Sequence, residues 1–512
     1  MPEEKRKPGA GSNLLKNEDW MSCWIGFLII ILVLAGLTFK TPGFKWMTDG
    51  GFQDVAAGNT AAVDKLAASA TEKGEANLAA AATALKTVMG TGERKAIGDA
   101  AKKLGATAAQ DAGLKKSAEG LARKLSGPAG MTLGKVFSGE NIWTSILIGL
   151  GFLVLCVAGN AVMGRSVGRF VVGFPVVFVL TWLSLFIAGN SSVEYYGLEF
   201  ALWALVLGLL ISNVIGLPDW MKEAVRTEYY IKIGLVILGT GILFGEILQA
   251  GAYGVIQAIV VVLAVWYFAY WLAQRLHVDD EFAAILATGV SICGVSAAIA
   301  AAGAIQGDKK KLSYVTSIVL VIAVPMMIIM PVFSKWVGIP ELVAGAWIGG
   351  TIDTTGAVVA AGALYGEVAM KIATIVKFSQ NVLVGVAAFI LAVVWSFKRG
   401  AEVGERPSAM VIWERFPKFV LGFLIASIVF SFFLAPASIG AVKGPLGFLR
   451  LLAFALAFTC IGLETNFKQL AGLEGGRPAV AFLGAQAFNI LWTLVLAYVL
   501  FGGVLFAAPV IK

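Results

Sequence analysis

Two charged residues stand inside apolar stretches of this chain. Asp353 lies within WIGGTIDTTGAVVAAGAL and Lys377 within TIVKFSQNVLVG. A charge at the depth of a bilayer costs several kcal/mol and marks a functional position by default. A lysine there can hold an anion, and a carboxylate can take a proton or a cation. Ser379, Gln380 and Asn381 extend the polar stripe beside Lys377. A purely structural Asp–Lys ion pair is the plainer alternative.

Asp353 belongs to one copy of an internal repeat. Residues 287–304, ATGVSICGVSAAIAAAGA, and 347–364, WIGGTIDTTGAVVAAGAL, share the pattern G-x-[ST]-I-x4-A-x2-A-A. Gly289 falls on Gly349, Ser291 on Thr351 and Ile292 on Ile352. Transporters built from inverted repeats carry discontinuous helices that meet near the bilayer midplane. Small residues let backbones approach, and hydroxyls re-satisfy a broken hydrogen-bond ladder. Freed helix N-termini present N–H groups and partial positive charge, which suits an anion. The expected substrate site is therefore Ser291, Cys293, Gly294, Ser296, Thr351, Thr354, Thr355, Lys377, Gln380 and Asn381, with Asp353 as the ion-coupling residue.

The elements that position these residues are apolar runs of about 20 residues, the length that crosses a hydrocarbon core. Runs recur near 21–39, 142–162, 171–189, 198–215, 229–247, 253–273, 283–305, 314–334, 342–364, 371–397, 416–436, 446–464 and 478–503. The first follows Lys5, Arg6, Lys7 and Lys16 and reads as a retained anchor. With the N-terminus cytoplasmic and each run a crossing, short inner loops carry 13 Lys and Arg against 7 outside. That satisfies the positive-inside rule and leaves the C-terminus extracytoplasmic, but it strands Lys309, Lys310 and Lys311 outside.

Residues 41–140 differ in kind, for 23 of the 80 residues from 51 to 130 are alanine. Leu78, Ala81, Leu85 and Val88, then Leu114, Ala118, Leu121 and Leu125, keep helical spacing. They predict a two-helix extracytoplasmic hairpin. Alanine seams bury little area, so the hairpin leans on something else, and it is a candidate surface for homo-oligomer assembly. The expected domains are thus 1–40, an anchor; 41–140, the hairpin; and 141–512, a membrane domain of about 12 spans.

Composition excludes other classes. The chain has 512 residues, 58% hydrophobic and 14% charged, too apolar for a soluble enzyme. Continuous rather than alternating runs exclude a membrane β-barrel. One histidine, His277, and four scattered cysteines give no metal or haem set. The +8 charge is spread along loops, so nucleic acid is not a partner, and no nucleotide motif is present. No enzyme activity and no cofactor are expected beyond coupling to H⁺ or Na⁺.

The segments SICGVSAAIAAAGAI (291–305), ATIVKF (373–378), FPKFVLGFLIASIVF (416–430), IGLETNFKQL (461–470) and EYYIKIGLVILGTGILFGEI (228–247) resemble the YeiH-type sulfate exporters of bacterial inner membranes. The resemblance covers about 198–503. It implies an all-α inverted-repeat fold with two broken, crossing helices, akin to bile-acid symporters and cation/proton antiporters, and export of an anion such as sulfate. The chain departs where many members have His-Glu, carrying Asp353-Thr354, and where they have arginine, carrying Gln380. Two further readings stand beside anion export: a monovalent cation/proton antiporter using Asp353, and a channel or scaffold acting through 41–140.

Overall fold

The computed structural model describes residues 14–37, 39–196, 198–242, 244–398, 410, 413, 416–465, 476–504 and 508–509. Among them the regular elements are helical, apart from one isolated bridge between Trp46 and Asn190. In chain order the first are α1 (Glu18–Leu34), α2 (Asp49–Glu72), α3 (Ala76–Met89), α4 (Arg94–Ala106) and α5 (Ala112–Ala129). Next come α6 (Gly139–Val162), α7 (Val167–Ala188), α8 (Phe200–Leu210), α9 (Thr227–Leu238) and α10 (Phe244–Arg275). Then follow α11 (Asp280–Ser291), α12 (Val295–Ala304), α13 (Lys309–Val337), α14 (Glu341–Thr351) and α15 (Thr355–Tyr365). The last are α16 (Glu367–Lys398), α17 (Lys418–Phe432), α18 (Pro436–Glu464) and α19 (Arg477–Phe501). Seven of these, α6, α7, α10, α13, α16, α18 and α19, are long and apolar enough to cross a membrane.

The chain forms two compact units: Lys40–Leu150 with Leu185–Phe200, and the remainder. In the smaller unit the expected pair of helices is present as α3 and α5. Two more, α2 and α4, supply what an alanine-rich pair lacks. Phe52, Val63 and Leu66 of α2 and Ile97 and Leu104 of α4 bury against Leu78, Leu85, Leu121 and Leu125 in one core. The two-helix expectation is therefore corrected to four. Arg94 closes the end of this bundle. Its guanidinium donates to the carbonyls of Met47 at 2.8 Å and Pro128 at 2.7 Å, and stacks over Phe52 at 5.1 Å.

In the larger unit the two repeat copies are broken where the sequence pattern places glycine and hydroxyl residues. α11 stops at Ser291 and α12 starts at Val295; α14 stops at Thr351 and α15 starts at Thr355. Neither pair runs straight through. The Asp308 backbone N–H donates to Glu281, and Lys311 pairs with Asp279 at 2.7 Å, so α12 returns to the end from which α11 starts. Likewise Glu341, opening α14, accepts from the N–H groups of Val368 and Ala369 at 3.1 and 3.2 Å, and Tyr365 donates to the Ile339 carbonyl. The expected crossing helices at 283–305 and 342–364 are instead two re-entrant hairpins. They enter from opposite ends of α13, which links them. The physical reason is length: α12 and α15 have 10 and 11 residues, about half of what a crossing needs. Each also packs along its own partner helix or the adjoining long one. Gly345 and Gly349 let α14 lie close to Ala369 and Ala373 of α16, where a Cβ would come within 2.7 and 2.6 Å of carbonyl oxygens.

Candidate functional site

The two hairpin tips meet. Gly294 has φ +56°, a left-handed conformation that favours glycine, and a Cβ there would sit 2.5 Å from Val319 Cγ1 and 3.1 Å from Asp353 Cβ. Each tip leaves the C-terminal carbonyls of one half-helix without intrahelical partners. Buried side chains from the long helices take them. Lys377 Nζ donates to Ile292 O at 2.6 Å and to Ile352 O at 2.8 Å, and contacts Gln380 Oε1 at 3.1 Å. Gln380 donates to Gly350 O at 2.9 Å, and Gln486 of α19 to Thr351 O at 3.0 Å. A cation suits the negative ends of α11 and α14, and the amides complete the set.

Asp353 shares this buried centre but is held differently. It is 2% exposed and its Oδ2 has no hydrogen-bond partner. The polar partners of the Lys377 ammonium are the carbonyls and Gln380, and no ion pair joins it to Asp353 among the described residues.

The N-terminal ends of α12 and α15 open onto a cavity of about 630 Å³. Cys293, Ser296, Thr354, Thr355 and Asn381 line it. Asn381 Nδ2 donates to Thr355 Oγ1 at 3.0 Å, and Thr354 Oγ1 caps α15 by accepting from Ala357 N at 3.3 Å. Gly294 at the head of α12 makes no side-chain cap, and the Cys293 thiol beside it interacts with the Ala297 N–H and the Ser296 side chain. Ser291, Gly294, Thr351, Asp353, Lys377 and Gln380 are not among the cavity-lining residues; they form the layer that holds the tips. The expected site residues are thus brought together, in two layers.

The opposite wall comes from a second set of helices, α1, α9, α17 and α18, which pack mainly on one another. Their contribution comes mostly from helix ends: Glu18 and Asp19 open α1, Thr227 and Glu228 open α9, Phe419 lies at the start of α17, and Ile461 and Glu464 close α18, while Lys232 lies half-way along α9. The hairpin-bearing set contributes helix centres instead, Ala323 half-way along α13 and Asn381 half-way along α16. Consistent with this stagger, Glu367, which opens α16, pairs at 3.7 Å with Arg450, half-way along α18.

Charge on that wall is internally balanced. Glu18 accepts from Arg226 and from Arg165 at 3.1 Å, and Lys232 pairs with Asp19 at 2.8 Å and Glu228 at 3.4 Å. Arg226 also donates to Asn160 and stacks over Tyr229 at 4.6 Å. Glu464 instead accepts from Thr227, N–H at 3.4 Å and Oγ1 at 3.0 Å. Sequence reasoning missed this wall and the α19 amides. Gln486 and Asn489, three apart in an apolar helix, were a legible signal; the acids at helix starts resembled ordinary caps.

Two opposed re-entrant hairpins, bundled with long apolar helices around a polar-floored cavity, define a multi-pass α-helical membrane protein. The family model described as Conserved hypothetical protein 698 matches residues 172–481. A UPF0324 membrane protein of Rhodopirellula baltica is 37% identical over 506 residues, covering 97% of this chain and 91% of that protein. One from Nitratidesulfovibrio vulgaris is 41% identical over 368 residues, 70% of this chain and 63% of its own length. The UPF0324 inner membrane protein YeiH of Escherichia coli is 25% identical over 345 residues, 66% of this chain and 96% of its own. The chain belongs to the UPF0324 membrane protein family, in agreement with the resemblance read from its motifs. No solved structure matches it.

Proposed function

We propose that this chain is a secondary transporter of the bacterial inner membrane. It exports a small anion, sulfate or a related sulfonate or organic anion, by alternating access and performs no bond chemistry. The observation that carries the reading is the convergence of two half-helix N-termini, α12 and α15, with Ser296, Thr354, Thr355 and Asn381 on one cavity. Backbone N–H groups and hydroxyls in that arrangement hold an anion without a free cation. Lys377 then has an organising role: it ties both tips together by their carbonyl ends.

The stagger between the helix sets supports a sliding form of alternating access. The tips face Ile461, near one end of α18, while the far end of the moving set faces Arg450 at its centre. Eleven residues of helix separate those levels, roughly 16 Å. Sliding the hairpin set by a comparable distance carries the tips toward the opposite face. Counting each hairpin as re-entrant also improves the charge balance of the loops. Lys309, Lys310 and Lys311 join the inner side and Lys335 leaves it, giving 15 basic residues inside against 5 outside. The N-terminus remains cytoplasmic and the cavity faces the cytoplasm.

One observation favours a second reading, cation/proton antiport: Asp353 Oδ2 is buried and unpartnered at the tips. Counterflow of labelled sulfate, methanesulfonate and small dicarboxylates in proteoliposomes, with pH and sodium gradients imposed separately, decides between them. Anion counterflow abolished by Thr355→Ala supports export. Sodium–proton exchange abolished by Asp353→Asn, with no anion moved, replaces it with antiport.

A further inference from the structure

Glu464 stands on the cavity wall but has had no role assigned to it in anion binding. It closes α18, lines the cavity and is exposed to it. Both of its carboxylate oxygens accept from Thr227. Thr227 in turn borders the hairpin tip: a Cβ on Gly356 would lie 3.5 Å from Thr227 Cγ2 and 3.3 Å from Ile461 Cδ1. One side chain therefore separates the carboxylate from the N-terminus of α15.

Among the described residues, the ionisable groups around it offer no compensating cation. Arg226, just before α9, is held by Glu18, and Lys232 of α9 by Asp19 and Glu228. From α1, Glu18 and Asp19 are the partners in those pairs, and Glu228 adds a further carboxylate to the same wall. The turn after α8 brings Asn213, which donates to the Thr465 carbonyl at 3.0 Å. On its own helix Cys460 is a buried thiol. The tip brings Asp353, another acid. Glu464 forms no ion pair among the described residues, and Lys468 and Glu474 lie outside them.

We propose that Glu464 is a proton-binding residue that couples anion binding to proton uptake from the cavity. The inference rests on the anion reading above. An anion seated at the N-termini of α12 and α15 faces this carboxylate across a low-dielectric cleft, and the two charges repel. Transfer of one proton from cavity water to a Glu464 oxygen removes the repulsion. By linkage, the bound anion must strengthen proton binding by the same factor that the proton strengthens anion binding. At a separation of one side chain the mutual effect is roughly tenfold. Because Glu464 stands on α18, it stays at this face when the tips move, so the proton is taken up as the anion binds and returns to the cavity water once the anion has moved away.

The test is the affinity of the purified full-length protein for sulfate and for methanesulfonate from about pH 5 to about pH 8, the span over which a perturbed carboxylate titrates. Wild type should lose affinity roughly tenfold as pH rises through the transition. Glu464→Gln should bind as tightly at high pH as wild type does at low pH, with a flat profile. Thr227→Val, which removes a hydroxyl donor from the carboxylate, should keep the transition and move its midpoint upward. Anion binding that is independent of pH in wild type, or a Glu464→Gln profile that still falls like wild type, overturns the coupling role while leaving the anion site standing. Binding of neither anion at any pH overturns the anion site and the coupling with it.

Discussion

The carbonyls of Ile292 and Ile352, sixty positions apart in the chain, accept hydrogen bonds from one ammonium, that of Lys377. These two residues are equivalent in the sequence repeat, so a single buried lysine closes both hairpins at the same point. Removing it should cost more than an ordinary buried hydrogen bond. Lys377→Met orphans two carbonyls at about 1–3 kcal/mol each and should lower the melting temperature in detergent clearly. Adding Asp353→Asn to that background removes a buried carboxylate but leaves the carbonyls bare, so recovery should be partial. Complete recovery would mean that the lysine serves Asp353 rather than the tips.

All four cysteines are buried, but Cys293 lines the cavity and Cys23, Cys156 and Cys460 do not. A small polar thiol reagent should modify Cys293 first, and saturating sulfate should slow the reaction. Mass spectrometry of tryptic peptides reads both outcomes. Equal labelling of all four cysteines, or none at Cys293, would argue against an open path to the tips.

The return of each hairpin to its own side has a direct topological consequence. Cysteines replacing Lys311 and His277 should react from the same face of inside-out vesicles. A cysteine replacing Lys335 should react only from the other. An impermeant maleimide in oriented vesicles measures this, and reaction of positions 277 and 335 from one face, with 311 from the other, would restore straight-through helices.

In the smaller unit, Lys73 hydrogen-bonds Asp111 at 2.6 Å and holds its carboxyl below the usual range, with help from the Leu114 N–H that it caps. A folded-state value below the unfolded one adds stability above the unfolded pKa, and that stability is lost as pH falls through the folded value. Acidification should therefore release the first turn of α5. Protection of the Leu114 amide against exchange, taken relative to its intrinsic rate at each pH, should fall below about pH 4 in wild type. In Asp111→Asn it should lose that pH dependence.

Much of the candidate site was legible because it is local. The glycine and hydroxyl residues at 289–296 and 349–356 mark the breaks, and buried charge singled out Asp353 and Lys377. Whether a broken helix crosses or turns back is not local. It depends on where Asp308 and Glu341 find partners, and only the unexplained lysines at 309–311 hinted at the answer. The cavity wall was illegible for a similar reason. Glu18, Thr227 and Glu464 come from three distant helix ends, and each alone resembles an ordinary cap or interface residue. In 41–140 the leucine spacing identified α3 and α5. The weaker apolar stripes of α2 and α4 gained meaning only once packed.

The central claim is that the tips carry an anion by moving along the second helix set. In a background lacking native cysteines, Gly356→Cys and Ile461→Cys stand side by side where the tip touches the second helix set, and a short bifunctional thiol reagent with a cleavable spacer should join them. Labelled-sulfate counterflow in proteoliposomes should stop on cross-linking and return when the spacer is cleaved. Undiminished counterflow by fully cross-linked protein would contradict the account.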